Sequence, residues 1–100
     1  MSDIQDTKTY GRPMAASSIT VTYTGTAGVT AAVNKDATCI RIVSTTDCFI
    51  EITVAGTSAV ANTGMYLPAF VPEYFDCPPK AKVSAIQVSA AGSIYVTPFN

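Results

Sequence analysis

The sequence contains no histidine and no tryptophan among its 100 residues. Histidine is the commonest general acid or base and the commonest metal ligand, so its absence disfavours hydrolytic and metal chemistry. Exposed tryptophan often stacks on bound sugars, and its absence weakens a carbohydrate-binding role. Charged residues are also scarce, at 13% of the chain with a formal net charge of −1. Neither a nucleic acid nor a membrane surface is therefore an expected partner.

Long apolar runs are missing as well, because Thr, Ser and Gly interrupt each hydrophobic stretch well before it could cross a bilayer. The first residues, 1–6, lack the basic and apolar regions of a secretory signal. We therefore expect a soluble protein that is made and folded in a cytoplasm. The spacing of Cys39, Cys48 and Cys77 matches no zinc or redox motif, so buried, reduced thiols are expected.

The remaining chemistry-bearing residues do not form a catalytic pattern. Glu73 and Asp76 could form a carboxylate pair for sugar hydrolysis, but scattered acids are usually solvated surface groups. Cys77 lies near Lys80, yet a lone cysteine without a neighbouring base is usually inert. We assign no catalytic residue, no metal and no cofactor, and we expect a protein that is not an enzyme.

Short alternating segments rich in β-forming residues are abundant in the chain. Ile19, Val21 and Tyr23 alternate with threonines, which is the two-residue period of a half-buried strand. Similar segments separated by turn signals recur at regular spacing. The strand candidates are residues 19–24, 29–33, 38–44, 48–54, 65–67, 73–77, 82–89 and 94–99. This pattern predicts an all-β protein, a single antiparallel β-sandwich of about eight short strands, either jelly-roll-like or immunoglobulin-like.

Residues 1–17 show neither a strand period nor a helical period. We interpret them as an extended N-terminal arm that precedes a β-sandwich domain over residues 18–100. A segment of this kind gains order from a neighbouring subunit more readily than from a small sandwich. The arm therefore contributes the candidate interface residues Tyr10, Arg12, Pro13 and Met14.

Two hairpins are predicted by pairing residues across three-residue loops. A loop at residues 45–47 would place Ile42 opposite Ile50 and Arg41 opposite Glu51, so that both faces of the hairpin match chemically.

A second loop, at residues 90–92, has glycine where such a loop needs a positive φ. It would place Val88 opposite Ile94 on one face and Gln87 opposite Tyr95 on the other.

Residues 65–75 hold four aromatic residues and two prolines within eleven positions. One interpretation is a core strand followed by a rigid crossover. The other is that Tyr66, Phe70 and Tyr74 are exposed interface anchors, because aromatic side chains combine large contact area with little loss of entropy. Tyr95, on the outer face of its predicted hairpin, is a further interface candidate.

Several strings from about residue 40 to the C-terminus resemble small virion proteins of tailed bacteriophages, of the capsid decoration or cement type. The strings are DCFI at 47–50, MYLPA at 65–69, PEYF at 72–75, KVSAIQV at 82–88 and YVT at 95–97. The resemblance implies a non-enzymatic β-sandwich that binds the capsid exterior and bridges subunits of the major capsid protein, as a homo-oligomer, dimer or trimer. The pair Phe70-Val71 departs from the glycine-containing turn that the resemblance leads us to expect.

The main alternative is a carbohydrate- or receptor-binding β-sandwich module on a phage tail or fibre. A small enzyme inhibitor or host-takeover protein is a third possibility, because the fold alone does not decide function. A symmetric oligomer is expected in each case, since a surface this poor in charge favours self-association.

Overall fold

The computed structural model describes residues 12–100 and contains eight β-strands. They are β1 Ile19–Tyr23, β2 Gly28–Val29, β3 Cys39–Ser44, β4 Cys48–Thr53, β5 Met65–Leu67, β6 Glu73–Asp76, β7 Lys82–Gln87 and β8 Gly92–Phe99. A short 3-10 turn, Ala15–Ser17, precedes β1. Each predicted strand has a counterpart in the structure. The predicted strand at residues 29–33 differs most, because its counterpart β2 has only two residues.

The strands form two four-stranded antiparallel sheets with the orders β1-β8-β3-β6 and β2-β7-β4-β5, called the first and second sheets here. Only the β4–β5 connection stays within one sheet, and the other six of the seven connections cross between the sheets. This alternation is the strand order of an eight-stranded jelly roll. The predicted all-β sandwich is confirmed, and its topology is the jelly-roll alternative.

The core lies between the sheets, and strands such as β3 alternate one buried with one more exposed side chain. In β3, Ile40 and Ile42 are buried and Arg41 and Val43 are half-buried. The large core side chains come from both sheets: Tyr23, Ile40, Ile42, Ile50, Leu67, Val83, Ile94 and Val96. Buried polar groups are satisfied, as where the Tyr23 hydroxyl donates to the Thr46 carbonyl oxygen at 2.8 Å.

The first predicted hairpin is wrong. Strand β3 belongs to the first sheet and β4 to the second, so Arg41 lies opposite Thr97 and Glu51 lies opposite Ser84. The isoleucines of the two strands point inward from opposite sheets instead of lying side by side in one ladder. Alternation buries the same side chains in both arrangements, so it does not select between them.

The second predicted hairpin is also wrong, because β7 and β8 lie in different sheets. Gly92 opens β8 and does not adopt a positive φ. A Cβ at this position would lie 2.8 Å from the Tyr23 hydroxyl and 2.7 Å from the Thr45 hydroxyl, so glycine is required by close approach. The chain needs a small residue here for packing, where the sequence suggested a turn.

The described part of the arm is attached to the first sheet. Arg12 exchanges two backbone hydrogen bonds with Asn100, and the Met14 N–H donates to the Pro98 carbonyl at 2.7 Å. Pro98 has no N–H to return, and the Met14 carbonyl instead accepts the Ser17 N–H, which starts the 3-10 turn. The Met14 side chain packs against the core, so residues 12–14 gain order from the sandwich itself and not from a neighbouring subunit.

Strand β2 ends at Val29, earlier than predicted. At the next residue, the side-chain hydroxyl of Thr30, and not a backbone carbonyl, accepts the hydrogen bond from β7. Its hydroxyl oxygen accepts the Val83 N–H at 3.0 Å, while its own N–H donates to the Val83 carbonyl at 2.9 Å. Polar side chains that bind the backbone in this way compete with a regular ladder. The chain therefore follows β7 over residues 30–33 without continuing the strand.

Candidate interaction surface

The β3–β4, β5–β6 and β7–β8 loops meet at one end of the sandwich. The Thr46 hydroxyl donates to the Ala90 carbonyl at 3.0 Å, and the Phe70 N–H donates to the Ser44 carbonyl at 2.8 Å. At and beside these loops lie four exposed apolar or aromatic residues, which we call the apolar tip: Tyr66, Phe70, Val71 and Val88. An exposed apolar cluster of this kind marks a candidate site for protein contact.

Asp47 connects the loops beneath the apolar tip. Its Oδ1 accepts the Ala69 N–H at 2.8 Å, and its backbone carbonyl accepts the Val88 N–H at 3.2 Å. The Tyr66 hydroxyl also donates to the Asp47 carboxylate. The Ala69 N–H and then the Tyr66 hydroxyl lower the pKa of Asp47, while the hydrogen bond to Asp47 raises the pKa of Tyr66. One ionised carboxylate thus anchors the β5–β6 loop.

Phe70 is the most exposed large apolar residue described, with 72% of its surface accessible. Its φ of 61° lies in the left-handed region, which costs a non-glycine residue conformational energy. Pro68 and Pro72 flank it and limit the loop's freedom. The turn at Phe70-Val71 therefore has the backbone conformation of the expected glycine-containing turn. Phenylalanine, and not glycine, occupies the position with the positive φ.

Tyr66 is held from below by Phe49. The ring centroids lie 5.8 Å apart at an interplanar angle of 66°, an edge-to-face arrangement that favours aromatic pairs. Tyr66 and Phe49 are direct partners across β5 and β4. With its hydroxyl bound to Asp47 and its ring against Phe49, Tyr66 is fixed at both ends.

The outer face of the first sheet carries a second aromatic group. Tyr95 is exposed beside its cross-strand partner Val43, and the rings of Tyr74 and Phe99 lie 5.8 Å apart. Arg41 lies on the central strand β3, with Thr97 of β8 as its partner on one side and Tyr74 of β6 as its partner on the other. This face presents aromatic surface with a cationic residue within it.

The outer face of the second sheet differs because the chain covers part of it. The β4–β5 loop passes over β7, where the Ala59 N–H donates to the Ser84 hydroxyl at 2.8 Å. Both residues are buried although Ser84 points away from the core. The rest of this face carries the Phe49–Tyr66 pair, which continues into the apolar tip.

The predicted interface residues therefore divide between different places. Tyr66 and Phe70 are together at the apolar tip, whereas Tyr74 and Tyr95 lie on the outer face of the first sheet. Arg12 and Pro13 are exposed beside the end of β8, and Tyr10 lies outside the described residues.

Met14 is half-buried against the core, which explains its apolar side chain without an external partner. Sequence reasoning missed Val71, Val88 and the anchoring role of Asp47. The only available signal was an aspartate in a turn, and aspartate is common in turns for many reasons.

The three cysteines are free. Cys39 and Cys48 are buried as expected, but Cys77 is half-buried. Burial raises the pKa of the Cys77 thiol, and nearby Cys39 and Asp76 raise it further. A raised pKa is opposite to the activation that a nucleophilic cysteine needs.

No family model, curated protein or solved structure matches the chain. Among residues 12–100, no helix is long and apolar enough to cross a membrane. Within the same residues, no group of three His, Cys, Asp or Glu side chains is placed to hold a metal ion.

We expect Asp47→Ala to accelerate hydrogen exchange at the Ala69 amide, because the substitution removes the carboxylate that accepts this N–H. Asp47→Asn is the matched control, since its amide oxygen can still accept the bond. The folded pKa of Asp47 is lowered, so its stabilising contribution is present at neutral pH and is lost as the pH falls through that pKa. Equal Ala69 exchange in wild type and Asp47→Ala would contradict the anchoring role.

Proposed function

We propose that this chain is a non-enzymatic structural protein of a bacteriophage particle, a capsid decoration or cement protein. In this proposal it binds the outside of the phage head and bridges neighbouring subunits of the major capsid protein. The resemblance of residues 40–100 to small virion proteins supports this assignment. The structural observation that supports it most is the presence of exposed aromatic residues both at one loop end and on an adjoining sheet face of the same sandwich.

The loop end and the face of the first sheet point in different directions, which suits a bridging protein because bridging requires simultaneous contact with more than one neighbour. The apolar tip lies at a loop end, whereas Tyr95 and Tyr74 lie on a sheet face. When two linked surfaces bind neighbouring sites, the second contact becomes intramolecular and the total affinity rises without any new contact. A cement protein would use this effect to hold adjacent capsid subunits together.

The jelly roll is compatible with this proposal but does not by itself establish it. Viral capsid domains, lectins and cupins all use eight-stranded jelly rolls. The exposed surfaces, and not the fold, distinguish these functions. Aromatic residues and few charges are typical of the centre of a protein–protein interface, and the chain has this composition at both surfaces.

The N-terminal residues have a defined starting point for contact with a neighbour. Arg12 is fixed against Asn100 at the end of β8, and eleven residues precede it. A chain of that length spans at most about 40 Å when fully extended. We propose that residues 1–11, including Tyr10, contact an adjacent capsid subunit or an adjacent copy in a dimer or trimer.

Co-sedimentation with phage heads tests this function. The heads come from the phage that encodes the chain, with this gene deleted. We expect saturable binding of the full-length protein, and weaker binding of a truncation that removes residues 1–11. The cut stops at residue 11 because Met14 belongs to the core packing. Matching thermal melts of the two proteins would show that the truncation leaves the sandwich intact.

Two outcomes would contradict the proposal or part of it. Failure of the full-length protein to bind heads would contradict a decoration role, and binding to tails or host cells instead would favour the tail-module alternative. Equal head binding by the truncated and full-length proteins would remove the N-terminal residues from the interface.

A further inference from the structure

We propose that the apolar tip is the anchor of this protein, and that Phe70 inserts into an apolar pocket with a basic rim on the capsid surface. This inference rests on the proposed function and specifies which surface makes the decisive contact. The occupant of the tip is therefore a protein pocket, not a lipid surface or a sugar. Exposure, rigidity and charge of the described residues support it.

Phe70 is both highly exposed and held in place by its backbone. The phenyl ring is the most exposed large apolar side chain described, and its backbone N–H is fixed to the Ser44 carbonyl at 2.8 Å. The preceding Ala69 N–H is fixed to Asp47 at 2.8 Å. A group held in place before binding loses little entropy on association. Preorganised aromatic anchors of this kind dominate the energy of many protein interfaces.

Phe70 has a backbone conformation that suits glycine better than a residue with a side chain. Its φ of 61° is unfavourable for a side chain with a Cβ, and the ring is too exposed to compensate through core packing. Strain of this type is retained where a functional contact depends on it. Asn62 and Lys80 also have a positive φ, but among these three residues Phe70 alone carries a large apolar side chain, which an external contact would explain.

The loop end that carries the apolar tip has acidic residues, whereas the loop lysines lie at the opposite end. Two acidic residues lie at this end of the sandwich: Asp47 beneath the loops, and Glu73, which follows the β5–β6 loop directly. The nearest cation in the ladder is Arg41, which lies one pair further from the tip than Glu73. The loop lysines, Lys35 and Lys80, lie in the β2–β3 and β6–β7 loops at the opposite end of the sandwich. An apolar projection with acidic neighbours complements a pocket with cationic groups at its rim. An anionic membrane surface would instead require basic residues at the tip.

The test compares binding and stability of Phe70→Gly with wild type, using heads that lack this protein. Glycine relieves the positive φ and removes the ring, so the melting temperature should stay equal or rise. Loss of a hot-spot anchor should weaken head binding about 30-fold or more. Val60→Ala is the matched control, because Val60 is 60% exposed in the β4–β5 loop, where this loop passes over β7 and not at the apolar tip. That variant should bind as wild type does.

A second comparison tests the charge of the pocket. Glu73→Gln should weaken head binding at low salt and reduce its salt dependence, because rim charges act mainly on association. Asp36→Asn, an exposed acid in the β2–β3 loop, is its control and should change neither. Salt-independent binding by wild type, or equal effects of the two variants, would overturn the basic rim.

The outcomes separate this inference from the proposed function. If wild type binds heads and Phe70→Gly binds equally well, Phe70 is not the anchor, the inference fails, and the decoration role survives. If wild type does not bind heads, the proposed function fails. If Tyr66→Phe abolishes binding while Phe70→Gly leaves it unchanged, recognition depends on the tyrosine hydroxyl, and the apolar-pocket inference is overturned.

Discussion

Replacing Ile42 by alanine is expected to lower the free energy of unfolding by about 2–5 kcal/mol. Ile42 is fully buried at 0% exposure between the sheets, opposite Val96 in the first sheet. Removing most of its side chain costs the transfer free energy of the lost carbons and leaves a cavity that the surrounding strands fill only partly. Urea denaturation followed by circular dichroism measures the change.

Val43→Ala is the matched control for this substitution. Val43 is the next residue on the same strand but lies half-buried on the outer face, opposite Tyr95. Its truncation should cost less than about 1 kcal/mol, because little buried apolar area is lost. Comparable losses for the two variants would show that the inward and outward faces of β3 are wrongly assigned.

Gly28→Ala is the second substitution with a large expected effect. A Cβ at Gly28 would collide with the backbone carbonyl of Thr22 and lie 3.1 Å from the Val21 side chain. A backbone atom cannot turn away as a flexible side chain can, so β1 and β2 would have to separate where the chain crosses between sheets. We expect a loss of about 1–3 kcal/mol or more, or failure to fold.

Gly25→Ala provides the control in the same β1–β2 connection. The atom nearest to its Cβ would be the Gln87 side-chain nitrogen at 3.8 Å, an ordinary contact. Thermal unfolding of the two variants should therefore show a large decrease for Gly28→Ala and little change for Gly25→Ala. A small decrease for both would contradict the close approach of β1 and β2.

The strands were predictable from the sequence because burial on one face imposes a two-residue period that local residues reveal. The pairing was not predictable in the same way. Ile42 and Ile50 are inward in the jelly roll and would have faced each other in a hairpin too, so the same alternation fits both topologies. Contacts far apart in sequence, such as Ile42 with Val96, decide the sheet order.

The candidate surface shows a similar division between local and non-local information. The aromatic and proline content of residues 65–75 indicated an interface, and the absence of glycine at Phe70 already marked its turn as unusual. The anchoring role of Asp47 depends on contact with Ala69, which is 22 residues away. The attachment of Met14 similarly depends on Pro98, at the far end of the chain.

A cryo-electron microscopy difference map between phage heads with and without this protein tests the central claim most directly. We expect extra density of about 10 kDa per copy on the outer capsid surface, at positions that bridge neighbouring major capsid subunits. The loop end that carries Phe70 should face the capsid, with its ring in an apolar pocket. Identical outer surfaces in the two maps, or extra density confined to the tail, would contradict the decoration role.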